Sequence, residues 1–396
     1  MQKKISPRNI AVYYLTSFFD SMVFIIPIII IYLQGKVTIP QVSFLFAFRY
    51  FIQLVTELPT GALADILGKR LTIILGFFIN SFYFLLLFFS QNFYHFLFAY
   101  FLGGIGDSLL SGSTDALVYD SLKQDKFEKN YAKILVRQNI YFQIGLIIGT
   151  VSGGFLYTVA PWLPFTICGF FQFINTILSF FYFEPLIDTV KFTLKNYINQ
   201  INLGVRELFK NPHSSLVSWY YIAVGGITWT CAMFFNSYML VDLGFSNQMR
   251  GVIDGSLRLI NILIINLIVK NEKIFTKKNS FMFFPIMMLI AFLPGRFLYG
   301  VIGIPFVAFS MISATARFIF LNKYTNEEYD SRYRATALSA LSMFIGIIYV
   351  VIITISGPII ANFGGMRTMY TLLGVLTLMT VVPLSIKLVR DYVKLS

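Results

Sequence analysis

The sequence predicts an all-α membrane protein: twelve transmembrane helices in two six-helix bundles, with a central cavity between the halves. Three observations carry this expectation. Of 396 residues, 57% are hydrophobic and 12% charged, about half the charged fraction of a soluble domain. Apolar runs long enough to cross a bilayer, which takes roughly 20 residues, recur along the whole chain. The basic residues gather in alternate gaps between those runs.

Read in order, spans fall near residues 9–33, 39–64, 71–90, 94–120, 131–158 and 163–184, giving an N-terminal bundle over 1–184. A polar segment, 185–212, follows as a cytoplasmic linker. Its Lys191, Lys195, Arg206 and Lys210 surround Phe192, Leu194, Ile198, Ile201, Val205 and Leu208, the pattern of an amphipathic helix lying on the membrane surface. Six further spans, near 213–241, 246–270, 280–297, 300–322, 333–361 and 366–388, complete a C-terminal bundle over 213–396. Two bundles of six joined by a basic connector are what a transporter built from repeats, with its site between them, is expected to show.

Charge sets the orientation. With both termini cytoplasmic, the cytoplasmic segments hold 24 of the 31 lysines and arginines, while the outer side holds only Lys36, Arg250, Arg296 and Arg367; Arg49, Arg258 and Arg317 lie inside spans. The positive-inside rule therefore predicts a multi-pass protein with cytoplasmic ends. The net charge of +13 follows from topology, and no nucleic-acid partner is expected. The sequence shows no signal peptide and no lipidation motif. Cys168 and Cys231 fall within apolar runs and have no metal-ligand spacing. His95 and His213 sit at span ends on opposite sides. With no phosphate-binding loop, no HExxH and no nucleophile constellation, neither a cofactor, a bound metal nor enzymatic activity is expected.

Residues 57–70 read ELPTGALADILGKR at the cytoplasmic end of the second span. Gly61 lets a neighbouring helix approach, and Gly68 supplies a tight turn. Gly61, Asp65, Gly68, Lys69 and Arg70 match the G-x-L-x-D-x-x-G-[RK]-[RK] signature, and with the twelve-span plan the chain resembles the major facilitator superfamily. The leading Glu-x-Pro-Thr-Gly form resembles a subset of bacterial exporters in it. The resemblance implies a conformational latch, in which Asp65 contacts the start of the eleventh span, here Arg332 or Arg334, and Lys69 pairs with Asp120. In the fifth span, Gly145, Gly149, Gly153 and Gly154 resemble the G-x-x-x-G-P-x-x-G-G signature of the antiporter branch, with Thr150 in the proline's place. Small residues on a four-residue period pack closely, here against the opposite bundle by expectation.

Ionisable residues within spans are costly and mark function by default. Asp20, Asp107 and Glu57 are the proton-coupling candidates, in that order, and Asp115 lies at a depth similar to Glu57. Arg49 is placed to meet Asp20 or Asp107, while Arg137 is a candidate partner for Glu57. Asp254 and Arg258, one turn apart, are either a self-neutralising pair or a gating or substrate site. The expected function is proton-coupled efflux of a small amphiphilic or drug-like compound by alternating access, from a monomer in the bacterial cytoplasmic membrane, whose partners are substrate, protons and lipid. Solute uptake by symport, or lipid translocation on the same fold, are the alternatives.

Overall fold

A bilayer core offers backbone amides no water, so apolar segments of this length must satisfy them internally as helices. The computed structural model describes residues 4–186, 194–270, 276–330 and 333–395, and every regular element among them is helical. Contacts divide the chain into two compact units: Met1–Val37, Phe48–Leu194 and Asn247–Gly255 form the first, and Thr38–Ala47, Lys195–Ser246 and Ser256–Ser396 the second.

The first half contains α1 (Ser6–Ser21), α2 (Ile29–Gln34), α3 (Ile39–Leu67), α4 (Lys69–Phe89), α5 (Phe93–Leu110), α6 (Ser113–Gln124), α7 (Tyr131–Val159) and α8 (Leu163–Ser179). Two of the expected spans are broken helices. In the first span α1 stops at Ser21 and α2 starts at Ile29, and Pro27, which lacks an amide hydrogen, lies between them. In the fourth, α5 gives way at Ser111 to Gly112, whose φ of +73° suits a residue without a Cβ. Pro59 lies inside the second span, and α3 runs through it to Leu67. A proline removes one helical hydrogen bond, and membrane helices tolerate that loss where side chains support the freed backbone.

The irregular stretch after α1 explains the glycines of α7. A Cβ at Gly145 would strike Ser21 Oγ and the Phe18 carbonyl; at Gly149, Val23 N at 2.7 Å and Met22 C at 2.8 Å; at Gly153, the Phe24 carbonyl. Unwound backbone is stable at membrane depth only when buried in protein, and these glycines provide the seat. Their expected packing against the opposite bundle is therefore corrected for three of the four, which face α1 and its continuation. Gly154 meets the backbone of Asn247 and Gln248, which belong to the same unit.

The turn between α3 and α4 is fixed by Glu184, an acid outside every motif. Gly68 adopts φ +88°, and the carboxylate of Glu184 accepts hydrogen bonds from Lys69 N (2.8 Å) and Arg70 N (2.7 Å), so it caps the positive end of α4. The segment carrying Glu184 is itself pinned. Arg70 donates to the Phe180 carbonyl (2.7 Å), Asn9 exchanges two bonds of 2.8 Å with the backbone of Phe183, and Leu186 N donates to Gln124 Oε1 (2.7 Å). Glu184→Ala is expected to lower stability by about 1–2 kcal/mol, the upper range for loss of an N-terminal cap, with Glu184→Gln losing less. An unchanged melting midpoint for the alanine variant would refute the capping role.

The remaining helices are α9 (Leu194–Leu208), α10 (Pro212–Thr230), α11 (Asn236–Asp242), α12 (Asn247–Lys270), α13 (Lys277–Phe292), α14 (Ile304–Ala316), α15 (Asn322–Glu328), α16 (Arg334–Asn362), α17 (Gly365–Met379) and α18 (Val381–Leu395). The backbone of α9 approaches α16 at Gly204, where a Cβ would lie 2.6 Å from the Thr336 carbonyl. Single π-turns, Cys231–Phe235 and Arg317–Leu321, continue α10 into α11 and α14 into α15. Asn236 then serves as a polar junction, its Oδ1 accepting from Ser310 Oγ and Tyr370 Oη, both at 2.8 Å. Among the described residues, seven helices are long and apolar enough to cross a membrane, and Leu163–Ser179 and Gly300–Ala316 are shorter apolar helices. The three other expected spans are the two broken helices and α12, which carries Arg250, Asp254 and Arg258.

Candidate functional site

A cavity of about 460 Å³ lies in the first unit, and every residue lining it belongs to that unit. Three carboxylates reach its wall: Asp20 from α1, Asp107 from α5 and Asp115 from the first turn of α6. The break at Ser111 and Gly112 also lines it, so two helix ends meet the cavity where an unbroken span would have presented only side chains. Gln53 and Gln138 contribute amides, and Thr16, Ser17 and Thr114 contribute hydroxyls. Phe77, Leu110 and Phe142 supply the apolar part.

Asp107 is the best neutralised of the three. Arg49 forms a bidentate pair with it, Nε to Oδ2 at 2.8 Å and a terminal nitrogen to Oδ1 at 3.1 Å, while its other terminal nitrogen donates to Tyr83 Oη at 2.8 Å. The guanidinium lies 4.3 Å from the Tyr83 ring centroid, within cation–π range. Asn80 Nδ2 adds a longer bond to Asp107 Oδ1 at 3.3 Å. The small residues preceding Asp107 permit this arrangement: a Cβ at Gly104 would lie 2.7 Å from the Arg49 carbonyl, and one at Gly106 would overlap the Asn80 amide. Of the two partners open to Arg49 in the sequence, the fold selects Asp107.

Asp20, half-buried, instead accepts from Gln172 Nε2 of α8 at 2.9 Å. Asp115 accepts a short hydrogen bond from the Tyr13 hydroxyl. Neither forms an ion pair within 4 Å among the described residues. Glu57 is exposed, and its one described side-chain bond is from Ser111 Oγ at 3.4 Å. Arg137, expected as a buried partner for it, is corrected: it is exposed on α7, and it is in none of the ion pairs of the described residues.

In the signature loop, Lys69 Nζ lies 2.6 Å from Asp120 Oδ2, with the two side chains 15% and 14% exposed, so the pair is largely shielded from solvent. The side chain of Asp65 and all of Arg332 lie outside the described residues. Gly61 is half-buried on α3, and Arg334 reaches the Tyr329 carbonyl at 3.5 Å. Asp254 is buried on α12, with Arg258 half-buried one turn on. Sequence reasoning that ranked only formal charges passed over Gln172, Asn80 and Tyr83. The signal for the two amides was present, since a polar side chain inside an apolar run needs a partner.

A multi-pass helical protein whose ionisable side chains converge on a cavity is a membrane transporter in class. The model of the Major Facilitator Superfamily matches residues 10–348, and the chain belongs to that superfamily. It is 24% identical over 369 residues to the uncharacterized MFS-type transporter YxaM of Bacillus subtilis (strain 168), covering 90% of each chain. Among solved structures it resembles the nucleoside transporter NupG, with a TM-score of 0.75 over 96% of this chain and 98% of that one, at 12% identity. A structure of a NupG point mutant matches equally. At that identity the likeness concerns the fold.

Proposed function

We propose that this transporter is a proton-coupled exporter of a small amphiphilic compound, with Asp20 as the principal proton site. The observation that carries this reading is the unequal treatment of the cavity carboxylates. Arg49 holds Asp107 in a bidentate ion pair. Asp20 is hydrogen-bonded to the neutral amide of Gln172 and forms no ion pair of its own among the described residues, which leaves it the carboxylate to carry a proton in this reading. Asp107 is then a fixed element of the wall and Glu57 a peripheral acid. The shielded Lys69–Asp120 pair supports a latch whose making and breaking accompany alternating access, and Gly61, Asp65, Gly68, Arg70 and Arg334 enter it by the family resemblance alone. In this reading both termini and the signature loop face the cytoplasm of a bacterial cell.

One charge crossing 100 mV is worth about 2.3 kcal/mol, a concentration ratio of roughly 50-fold, so a single coupled proton suffices for useful accumulation. The test uses everted vesicles, in which an acid interior should drive solute uptake and added solute should discharge the pH gradient. Neither response occurring would reject export by antiport. Asp20→Asn is expected to reduce gradient-driven transport about tenfold or more while solute exchange without a gradient persists. Gradient-driven transport at the parent rate in that variant would remove Asp20 from the coupling role.

A further inference from the structure

We infer that the turn between α13 and α14 seats an anionic phospholipid of the outer leaflet, with Arg296 and Arg367 on its phosphodiester and the apolar side chains of the turn among its acyl chains. This goes beyond the transport reading and takes from it only the orientation of the chain.

Helix length comes first. α13 starts at Lys277 and Lys278 and gives out at Phe292 after 16 residues, a rise of about 24 Å against a hydrocarbon core of roughly 30 Å. The backbone beyond it, residues 293–303, therefore begins inside the apolar layer, where each amide needs a partner. Two short turns, Gly295–Phe297 and Gly300–Gly303, follow. In the first, Phe297 N donates to the Pro294 carbonyl (2.8 Å), Leu298 N to the Gly295 carbonyl (3.2 Å) and Arg296 N to Thr371 Oγ1 of α17 (2.9 Å). The turn is seated on α17: a Cβ at Gly295 would lie 2.5 Å from Tyr370 Cβ and 2.6 Å from the Arg367 carbonyl, and Leu298 is buried. Yet Phe297, Tyr299, Val301 and Ile302 are 77%, 62%, 71% and 69% exposed. A turn held in this way cannot fold those side chains back onto the protein. The bilayer that covers the spans on either side is continuous with them, and aromatic residues at a span end are the composition of the membrane interface.

Charge identifies the lipid. The outer side holds Lys36, Arg250, Arg296 and Arg367. Two of these are engaged within the protein, since Lys36 Nζ donates to the Ser90 carbonyl at 2.7 Å and Arg250 Nε to the Pro27 carbonyl at 2.9 Å. The other two meet at this turn, where the contact of Gly295 with the Arg367 carbonyl brings their backbones together. Among the described residues, neither side chain makes a hydrogen bond or an ion pair within 4 Å. The Arg367 guanidinium lies 4.2 Å from the Tyr299 ring centroid, and its buried Nε has no acceptor. Asp242, the acid at this end, is occupied by Met366 N at the start of α17. Guanidinium donors without a protein acceptor, at the depth of the headgroups, are the complement of a phosphodiester. Two of them above an apolar turn favour a lipid of net negative charge.

The test uses the purified full-length protein in nanodiscs of phosphatidylethanolamine and phosphatidylglycerol. A nitroxide on Phe297→Cys or Ile302→Cys should be relaxed more by oxygen than by a water-soluble nickel chelate. The reverse is expected on Gln91→Cys, at an exposed position of another outer loop; the native Cys168 and Cys231 are buried. Spin-labelled phosphatidylglycerol should be held in preference to spin-labelled phosphatidylcholine, and Arg296→Gln and Arg367→Gln should each lower that preference about fivefold. Melting midpoints confirm that each variant is folded. Nickel relaxation at 297 and 302 equal to that at 91 would put the turn in water, and spin–spin broadening at 297 would put a second copy on it. Equal retention of the two lipids by the parent, or an unchanged preference in both folded arginine variants, would remove the headgroup site. Each of these results overturns the inference. Nanodiscs expose both faces, so the lipid results do not depend on orientation. Failure of an impermeant maleimide to label Gln91→Cys in intact cells would instead defeat the orientation, and with it the leaflet, while the lipid contacts stand or fall on the nanodisc results alone.

Discussion

Arg49→Met is expected to abolish transport and to lower the melting midpoint by several degrees. The substitution leaves Asp107 facing the cavity without its bidentate partner and Tyr83 Oη without its donor. Breaking one side of a buried ion pair costs about 3–5 kcal/mol, and the lower end applies because each side chain is 27% exposed. Arg49→Lys should fall between the parent and the methionine variant, since a lysine keeps the charge but cannot reproduce the fork. Combining Arg49→Met with Asp107→Asn removes the orphaned charge, and most of the lost stability should return while transport does not. Melting curves of the four proteins give the answer: a single Arg49→Met variant as stable as the parent would show that the pair adds nothing to the fold.

Gly153→Val should yield no recoverable folded protein. The obstacle at that position is the Phe24 carbonyl, which is backbone and cannot rotate away. Overpacking a core with side-chain neighbours costs about 1–3 kcal/mol; against the unwound segment after α1 the cost is higher, because moving it also disturbs its hydrogen bond to Cys168 Sγ. Gly153→Ala and Gly149→Ala should be recoverable but destabilised. Gly35→Ala is the contrast: its Cβ would meet only ordinary contacts at 3.6 and 3.7 Å with φ at −71°, so it should be neutral or gain about 0.4–1 kcal/mol through the unfolded chain. Expression and size-exclusion profiles of these variants decide the matter. A monodisperse Gly153→Val protein at parental yield would show that this face is not a seat for the first span.

The fold was legible because its causes are local and repetitive. Length and apolarity of each run demand a helix, and the G-x-L-x-D-x-x-G-K-R pattern tied the second and third spans to a known architecture. Breaks inside spans were not legible. Pro59 looks like a stop and is not one, whereas Ser111–Gly112 looks like part of a small-residue packing face and is a stop. The difference lies in tertiary surroundings: α3 retains its neighbouring hydrogen bonds through Pro59, while at Gly112 a cavity makes an open turn tolerable. For the site, Asp20 and Asp107 could be named from charge in an apolar setting, but which of them Arg49 would neutralise depends on how closely α3 and α5 approach at Gly104. Glu184 left no sequence signal at all, since a carboxylate 114 residues beyond Arg70 resembles any other acid at a span end.

The pinned stretch around Glu184 also bears on how the gene can be divided. A first fragment ending at Ser179 would retain all of α8, yet it would lose the cap of α4, the partner of Arg70 and both bonds to Asn9 at once. One extended through Leu186 would keep them. Seven residues that cross no membrane thus decide whether a coexpressed fragment carries its own closure, and a fusion tag, protease site or crosslinking residue belongs after them.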